Sequence, residues 1–275
     1  MSTNQIIQII EKADLSTQNF FNETLAMYAL KYNKDQKLNL PTDYIMSILE
    51  KSDLKQQNNH WKTLTMYALM KNQRQNLNFS QDQIMSIIEK TDVYIKNSYN
   101  ETIATYVLML NEYQNLNLSP NQIMSILEKS DLNQQNNHGQ TLPDIILTGN
   151  KTRKLNLSPN QIMSVLNKIN LDTEDKHNKT ILIFLLEENK EEKPNLSPYQ
   201  IISIIEKTNP TLFDNNFIST FFSNLGKQFK MSDKQLYKIA DIFNTKIKEI
   251  TLKNQTTINN ILLHKKINQN TQKKI

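Results

Sequence analysis

LNLSPNQIMSILEKSDL, residues Leu116–Leu132, returns in altered form along most of the chain. Leu38–Leu54 reads LNLPTDYIMSILEKSDL, Leu77–Val93 reads LNFSQDQIMSIIEKTDV, Leu155–Leu171 reads LNLSPNQIMSVLNKINL and Pro194–Pro210 reads PNLSPYQIISIIEKTNP. A shortened first copy, STNQIIQIIEKADL, begins at Ser2. One isoleucine marks the register at Ile6, Ile45, Ile84, Ile123, Ile162 and Ile201, a constant step of 39 residues. Self-similarity at a fixed period of this size indicates a stacked repeat architecture. Each unit of such a stack touches only its neighbours, so the 275 residues need not be divided into domains by length alone.

Within the unit, Leu116 and Leu118 alternate with Asn117, which predicts a short extended piece with both leucines against the body. Ser119-Pro120-Asn121-Gln122 predicts a helix start: serine as N-cap, proline at the first helical position, and glutamine closing a capping box. The same Ser-x-x-Gln stands at Ser2/Gln5, Ser80/Gln83, Ser158/Gln161 and Ser197/Gln200. It is missing at Leu40–Asp43, where leucine is read as the cap residue, and that helix is expected to start more weakly by about 1 kcal/mol. Ile123, Ile126 and Leu127 form one apolar stripe, and the helix is expected to end near Lys129.

The polar segment Asp131–Gln140, DLNQQNNHGQ, is rich in turn formers. A second helix is predicted from about Thr141, with its stripe at Leu142, Ile145 and Ile146. The corresponding triplets are Leu25/Tyr28/Ala29, Leu64/Tyr67/Ala68, Ile103/Tyr106/Val107 and Ile181/Phe184/Leu185. Each unit is thus predicted to be two antiparallel helices joined by polar loops. Neither can bury its stripe alone, so the expected fold is an all-α solenoid of stacked helix-turn-helix units.

Lys129–Thr141, KSDLNQQNNHGQT, resembles the junction of ankyrin repeats, whose usual form is GADVNAKDNDGQT, with Asp131, Leu132, Asn133, Gly139 and Thr141 in register. The helix that follows resembles the ankyrin TPLHxA motif, here at Thr24–Ala29 and Thr63–Ala68. The resemblance covers about residues 1–210. It implies ankyrin-like repeats and a non-catalytic protein-interaction module that contacts its partner through successive turns and helices. Three departures stand out. The period is 39 rather than about 33, with the extra residues in the LNLS segment. The turn glycine survives only at Gly139, its equivalents being Asn22, Trp61, Asn100 and Asn178. Asparagine tolerates a left-handed backbone and tryptophan does not, so the Trp61 turn is expected to differ. Lys51, Lys90 and Lys129 replace the helix-ending glycine, which predicts a helix running a residue or two longer. Whether the junctions form β-hairpins is left open by these changes.

The repeat array is assigned to residues 1–210, an off-period helical cap to 211–264 and a basic tail to 265–275. In the cap, Phe213, Phe217, Phe221 and Phe222 read as core, Ser232/Gln235 as another capping box, Leu236, Ile239 and Ala240 as its stripe, and 257–263 as a last helix. The net charge of +5 is uneven: Gly226–Ile275 carries eleven lysines against Asp233, Asp241 and Glu249, leaving the remainder near neutral. Nucleic-acid binding through Lys227 to Lys274 is therefore the alternative function, although the repeats carry no basic stripe. There are no cysteines, three glycines and no apolar run beyond the six residues Ile181–Leu186, which exclude disulfides, glycine-rich phosphate loops and a membrane-spanning helix. The start, MSTNQIIQIIEKADL, does not read as a secretory signal. A cytoplasmic protein, or one secreted into a host cell without a cleaved signal, is expected, as a monomer and without a cofactor.

His60, His138 and His177 recur three residues before the repeat threonine, and His264 stands alone. Neighbouring units should lie about 8–10 Å apart, too far for His138 and His177 to share a zinc ion that needs ligands at about 2 Å. Glu11, Glu50, Glu89, Glu128 and Glu206 recur as a solvent face rather than a catalytic pair. No enzyme is expected. One pattern is left: Phe21, His60, Tyr99, His138 and His177, all flat rings, precede the turn position, with Trp61 and Phe20 beside them. They either shield their own turns or stack on their neighbours, or else form a partner-binding edge, since aromatic residues are enriched among interface hot spots. The ankyrin resemblance implies an effector of a host-associated bacterium that acts on a host protein, with which the Asn-, Lys- and Ile-rich composition and the basic tail are compatible, or a scaffold or inhibitor inside the producing cell.

Overall fold

The computed structural model describes residues 2–35, 37–111, 113, 115–150, 154–174, 180–186, 196–209, 231–246 and 248. His177, Asn178, Phe213, Phe217, Phe221, Phe222, His264, the expected helix at 257–263 and the tail at 265–275 lie outside the described residues, as does the side chain of Phe184. The chain divides into two compact units, residues 1–181 with 189–195, and 182–188 with 196–275, and each is described by itself.

In the first unit, two kinds of helix alternate. Serine-capped helices are α1 (Thr3–Lys12), α5 (Gln81–Glu89), α7 (Pro120–Glu128) and α9 (Pro159–Leu166), with α3 (Thr42–Lys51) in the same series. Threonine-capped helices are α2 (Leu25–Tyr32), α4 (Leu64–Lys71), α6 (Ile103–Leu110) and α8 (Leu142–Gly149). The expected capping boxes form at Ser2, Ser80, Ser119 and Ser158. The weak start at α3 is also present, but its N-cap is Pro41 rather than Leu40, and no side chain caps it. Thr24, Thr63, Thr102 and Thr141 cap the other series by accepting from the backbone N–H three residues on. The helices end where lysine replaces glycine: α3 includes Lys51, whereas α5 and α7 stop one residue before Lys90 and Lys129, which remain right-handed C-caps.

Burial separates the two series. The serine-capped helices bury one stripe, such as Ile45, Ile48 and Leu49 in α3 or Ile123, Ile126 and Leu127 in α7. Their outer faces carry the recurring glutamates, and Glu50 meets Lys90 at 3.5 Å and Glu89 meets Lys129 at 3.7 Å. These exposed pairs contribute little to stability. The threonine-capped helices pack in a row, α2 on α4, α4 on α6 and α6 on α8, and each also meets the serine-capped helix that follows it. With neighbours on several sides they are buried nearly all round: in α4 every residue from Leu64 to Leu69 is buried. The three-residue stripe expected from periodicity is therefore too narrow for this row, because each of these helices is covered on several sides. In α2 the difference is sharper, since Ala26, Met27, Ala29 and Leu30 are buried while Tyr28 is 45% exposed.

The LNLS segment is not a strand. Asn39, Asn78, Asn117 and Asn156 are left-handed, as are Lys37, Asn76, Asn115 and Lys154 two residues before them. The alternation still buries the apolar side chains, including Leu77, Phe79, Leu116, Leu118, Leu155 and Leu157. Asparagine is among the few residues that visit this region routinely. The segment is stapled by a second set of asparagines at the helix ends. Asn33, Asn72, Asn111 and Asn150 accept through Oδ1 from the N–H of Leu40, Phe79, Leu118 and Leu157 at 2.8, 2.9, 3.0 and 2.8 Å. Neighbouring units are also locked here: the hydroxyls of Thr3 and Thr42 donate to the carbonyls of Leu38 and Leu77, and Gln81 donates to that of Asn117.

After α10 (Ile181–Leu186) in chain order, α11 (Pro198–Lys207) of the second unit carries the expected box at Ser197, and Ile201, Ile202, Ile204 and Ile205 are buried. A helix over residues 233–246 follows, with the expected cap interaction between Ser232 and Gln235. Ile239 is fully buried. Lys246 Nζ donates to the carbonyls of Glu206 at 2.5 Å and Thr208 at 2.7 Å, satisfying groups at the end of α11 that have no helical partner.

Candidate functional site

Each junction before a threonine-capped helix is a tight hairpin turn built around one asparagine. Asn19, Asn58, Asn97 and Asn136 accept through Oδ1 from the N–H groups two and four residues on, at 2.9 to 3.1 Å. Their carbonyls accept from Asn22, Trp61, Asn100 and Gly139 at 2.8 to 3.0 Å, and these four residues are left-handed. Gln18 and Thr24, and likewise Gln57 and Thr63, form antiparallel bridges at the base of the first two turns. The asparagine side chain supplies the bonds that make the hairpin, so the glycine is dispensable at this position. The Trp61 turn does not differ from the others: at φ 57° it keeps the same bond to Asn58. An asparagine that bonds its own turn two residues on is a standard turn device. Only the turn asparagines' recurrence every 39 residues could have revealed them from the sequence, where asparagine otherwise reads as loop filler.

Successive hairpin tips are joined to one another. The carbonyls of Phe21, His60 and Tyr99 accept from the N–H groups of Asn59, Ser98 and Asn137 at 3.0, 3.5 and 2.9 Å. The side chains of Asn59 and Asn137 add bonds to Phe20 and Ser98 of the preceding tip. The structure thus brings Phe21, His60, Tyr99 and His138 into one edge through their backbones, and leaves their side chains outward. Phe20 is 90% exposed, Phe21 58%, Trp61 61% and Tyr99 54%, and His60 and His138 are exposed too. Phe20 and Phe21 meet edge to face at 5.6 Å.

Below the tips, buried carboxylates stiffen the base of the edge. Glu23 accepts from Asn19 at 3.2 Å, Lys31 at 2.9 Å and Tyr67 at 3.4 Å. Burial raises its carboxyl, but the Lys31 and Asn19 bonds outweigh that and hold it below the ordinary value. In the third unit Glu101 accepts from Asn97 at 2.7 Å, and Asn97 also meets the Tyr106 hydroxyl at 3.4 Å. Burial is the main cause that pushes the Tyr106 phenol up to about 12. These carboxylates are engaged in the turns and are not disposed as a catalytic pair. Among the described residues, no group of three or more His, Asp or Glu side chains could hold a metal ion. No helix of the described residues is long and apolar enough to cross a membrane.

No protein-family model matches the chain, and no curated protein matches it. Among solved structures it is similar to the ankyrin repeat protein EF0377, at a TM-score of 0.48 and 13% identity over 76% of this chain and 93% of that one. It is similar to an ankyrin repeat domain from Acinetobacter baumannii, at 0.45 and 19% over 66% of this chain and 85% of that one. It is similar to the ankyrin repeat domain of Bcl-3, a member of the IkappaB protein family, at 0.41 and 13% over 66% and 72%. The hairpin, threonine-capped helix, stapled loop and serine-capped helix, recurring in register, make the first unit an all-α solenoid of ankyrin-like repeats.

Proposed function

We propose that this chain is a non-catalytic protein-interaction module that takes its partner along the edge of hairpin tips, through Phe21, His60, Trp61, Tyr99, His138 and His177. Trp61 carries the reading. A left-handed backbone costs a side-chain-bearing residue about 1–2 kcal/mol. Trp61 adopts φ 57° and still leaves 61% of its surface in water. The fold recovers little from that ring, whereas a partner would recover much, because tryptophan and tyrosine dominate interface hot spots. The joined backbones of the tips hold the rings in place and lower the entropy cost of binding.

The test is capture of a protein from host-cell and own-cell lysates, with nuclease present, by full-length protein and by a variant with His60, Trp61 and Tyr99 changed to alanine. A specific protein kept by the wild type and lost by the folded variant is the expected result. A captured protein kept equally by both, or nucleic acid as the only species recovered, would overturn the reading. Within this function we propose that the partner is a host protein met outside the producing cell; the ankyrin-like junctions support this, because proteins with such repeats in host-associated bacteria often act on host proteins, and failure to detect the protein outside that cell would sink it.

A further inference from the structure

The side chains on the accessible side of the threonine-capped row change character along the chain. In units one and two this side is cationic and aromatic. Tyr28 and Tyr32 meet at 4.5 Å, and Lys31 Nζ sits 5.2 Å above the Tyr32 ring. Lys71 Nζ lies 5.6 Å from the Tyr67 ring, and Lys62 Nζ lies 3.4 Å from the Met70 sulfur. Arg74 follows just beyond α4 and is exposed. Of these cations Lys31 has an anion, Glu23, at 2.9 Å. Among the described residues no carboxylate lies within ion-pair distance of Lys62, Lys71 or Arg74. In unit three the positions equivalent to Met70, Lys71 and Arg74 are Met109, Leu110 and Tyr113, half-buried or exposed and without charge, while Glu101, the equivalent of Lys62, is buried and bonded to Asn97.

Half-buried ammonium groups without a counter-ion are costly, since part of their hydration is lost and nothing replaces it. Lys62 and Lys71 are both held below the ordinary lysine value by burial; Glu101 partly offsets this at Lys62, and Arg74 and Lys31 add to it at Lys71, where Asp35 opposes them. Glu23 and Asp35 are occupied, the first by Lys31 and the second by the Gln75 amide at 2.9 Å. The surplus positive charge is therefore already part-desolvated, and an incoming anion would recover attraction while losing little further hydration.

We propose that this side of units one to three binds an extended protein segment carrying two or more carboxylates, which meet Lys62, Lys71 and Arg74, followed by an aliphatic or aromatic residue that meets Met109, Leu110 and Tyr113. The proposal rests on the interaction-module reading and adds the chemistry of the partner. The acidic end faces units one and two, and the apolar end faces unit three, so the polarity of the segment along the row is fixed.

The experiment pans a displayed library of random dodecapeptides on the immobilised full chain, and measures the best binder as a labelled synthetic peptide. The expected binders hold clustered Asp or Glu beside a Leu, Phe or Trp. Their affinity falls about tenfold or more for Lys71→Gln/Arg74→Gln. It falls steeply with added salt for the wild type and less for the variant. Both substitutions lie on accessible side chains, and the melting temperature verifies that the variant is folded. The proposal is overturned by binders without acidic enrichment, by an acidic binder equally tight on the variant, by no binder at all, or by preferential binding of an oligo-thymidine strand at the same side. Loss of binding in the hairpin-ring variant together with full retention in the charge variant would leave the interaction-module reading standing and remove this one alone.

Discussion

Asn111→Ala removes one of the asparagines that staple the LNLS loop, and its cost can be worked from the contacts. Asn111 is 1% exposed. Its Oδ1 accepts from Leu118 N at 3.0 Å and its Nδ2 donates to Lys154 O, in the next unit, at 3.2 Å. Leu118 is 3% exposed, so its N–H would be left unpaired where water has little access, which costs about 1–3 kcal/mol. Lys154 is exposed, and water replaces that bond at a smaller loss, about 0.5 kcal/mol. Removing the buried amide leaves a small cavity worth about 1 kcal/mol more. The sum is about 2.5–4.5 kcal/mol. Asn150→Ala is the internal comparison. Asn150 likewise accepts from Leu157 N, at 2.8 Å, but its Nδ2 donates to Leu157 O of the same loop, at 3.0 Å, and it is only half-buried, so the loss there should be smaller by about 1 kcal/mol because water can enter. Urea unfolding gives the stability difference. Because a repeat array opens unit by unit, amide exchange across α6 to α8 should show where it falls. A loss below about 0.5 kcal/mol for Asn111→Ala, or equal losses at the two sites, would refute the view that these asparagines act as buried staples.

Three further outcomes follow from the structure. Pro41→Ser should supply the missing cap of α3 and raise stability by about 0.5–1 kcal/mol in urea unfolding; no gain would mean that the loop geometry, rather than the residue, denies the cap. Glu23 has a depressed folded pKa, so its stabilisation is present above the ordinary value of 4.5 and is lost as pH falls through the folded value. Glu23→Gln should therefore flatten the acid side of the stability profile below about pH 4.5, and an unchanged profile would show that the Lys31 and Asn19 contacts do not matter in solution. In the second unit, Lys246→Met keeps the aliphatic stem but removes the ammonium from the end of α11, and faster amide exchange in residues 201–209 is expected. Unaltered exchange would argue that water serves those carbonyls equally well.

Much of the fold is legible because a repeated pattern reports itself several times. The Ser-x-x-Gln boxes place the starts of α1, α5, α7, α9 and α11, and the same reasoning marks α3 as the exception. Three readings differ from the structure, each for its own reason. The stripe at Leu25, Tyr28 and Ala29 is read from one helix as though it had one neighbour, whereas the threonine-capped row is enclosed on several sides. The LNLS piece reads as extended because Leu and Asn alternate, whereas left-handed asparagines produce the same alternation of buried and exposed side chains. The Trp61 turn reads as different because the glycine rule was applied to Trp61 alone, when Asn58 determines the turn. Of the candidate edge, the positions of the rings are legible, but the asparagines that hold them are not.

The sequence by itself determined the period, the all-α class, the capping of each serine-started helix and the ring at each turn, because these depend on residues within a few positions of one another. Only the tertiary structure decided that the rings lie outward on tips joined backbone to backbone, that Asn33, Asn72 and Asn111 are buried staples, and that, among the described residues, no carboxylate lies within ion-pair distance of Lys62, Lys71 or Arg74. Those outcomes depend on which groups from different units share one region of low water access. A local pattern can say that asparagine or lysine is present, but only the packing of neighbours fixes whether water, another side chain or a partner will satisfy it.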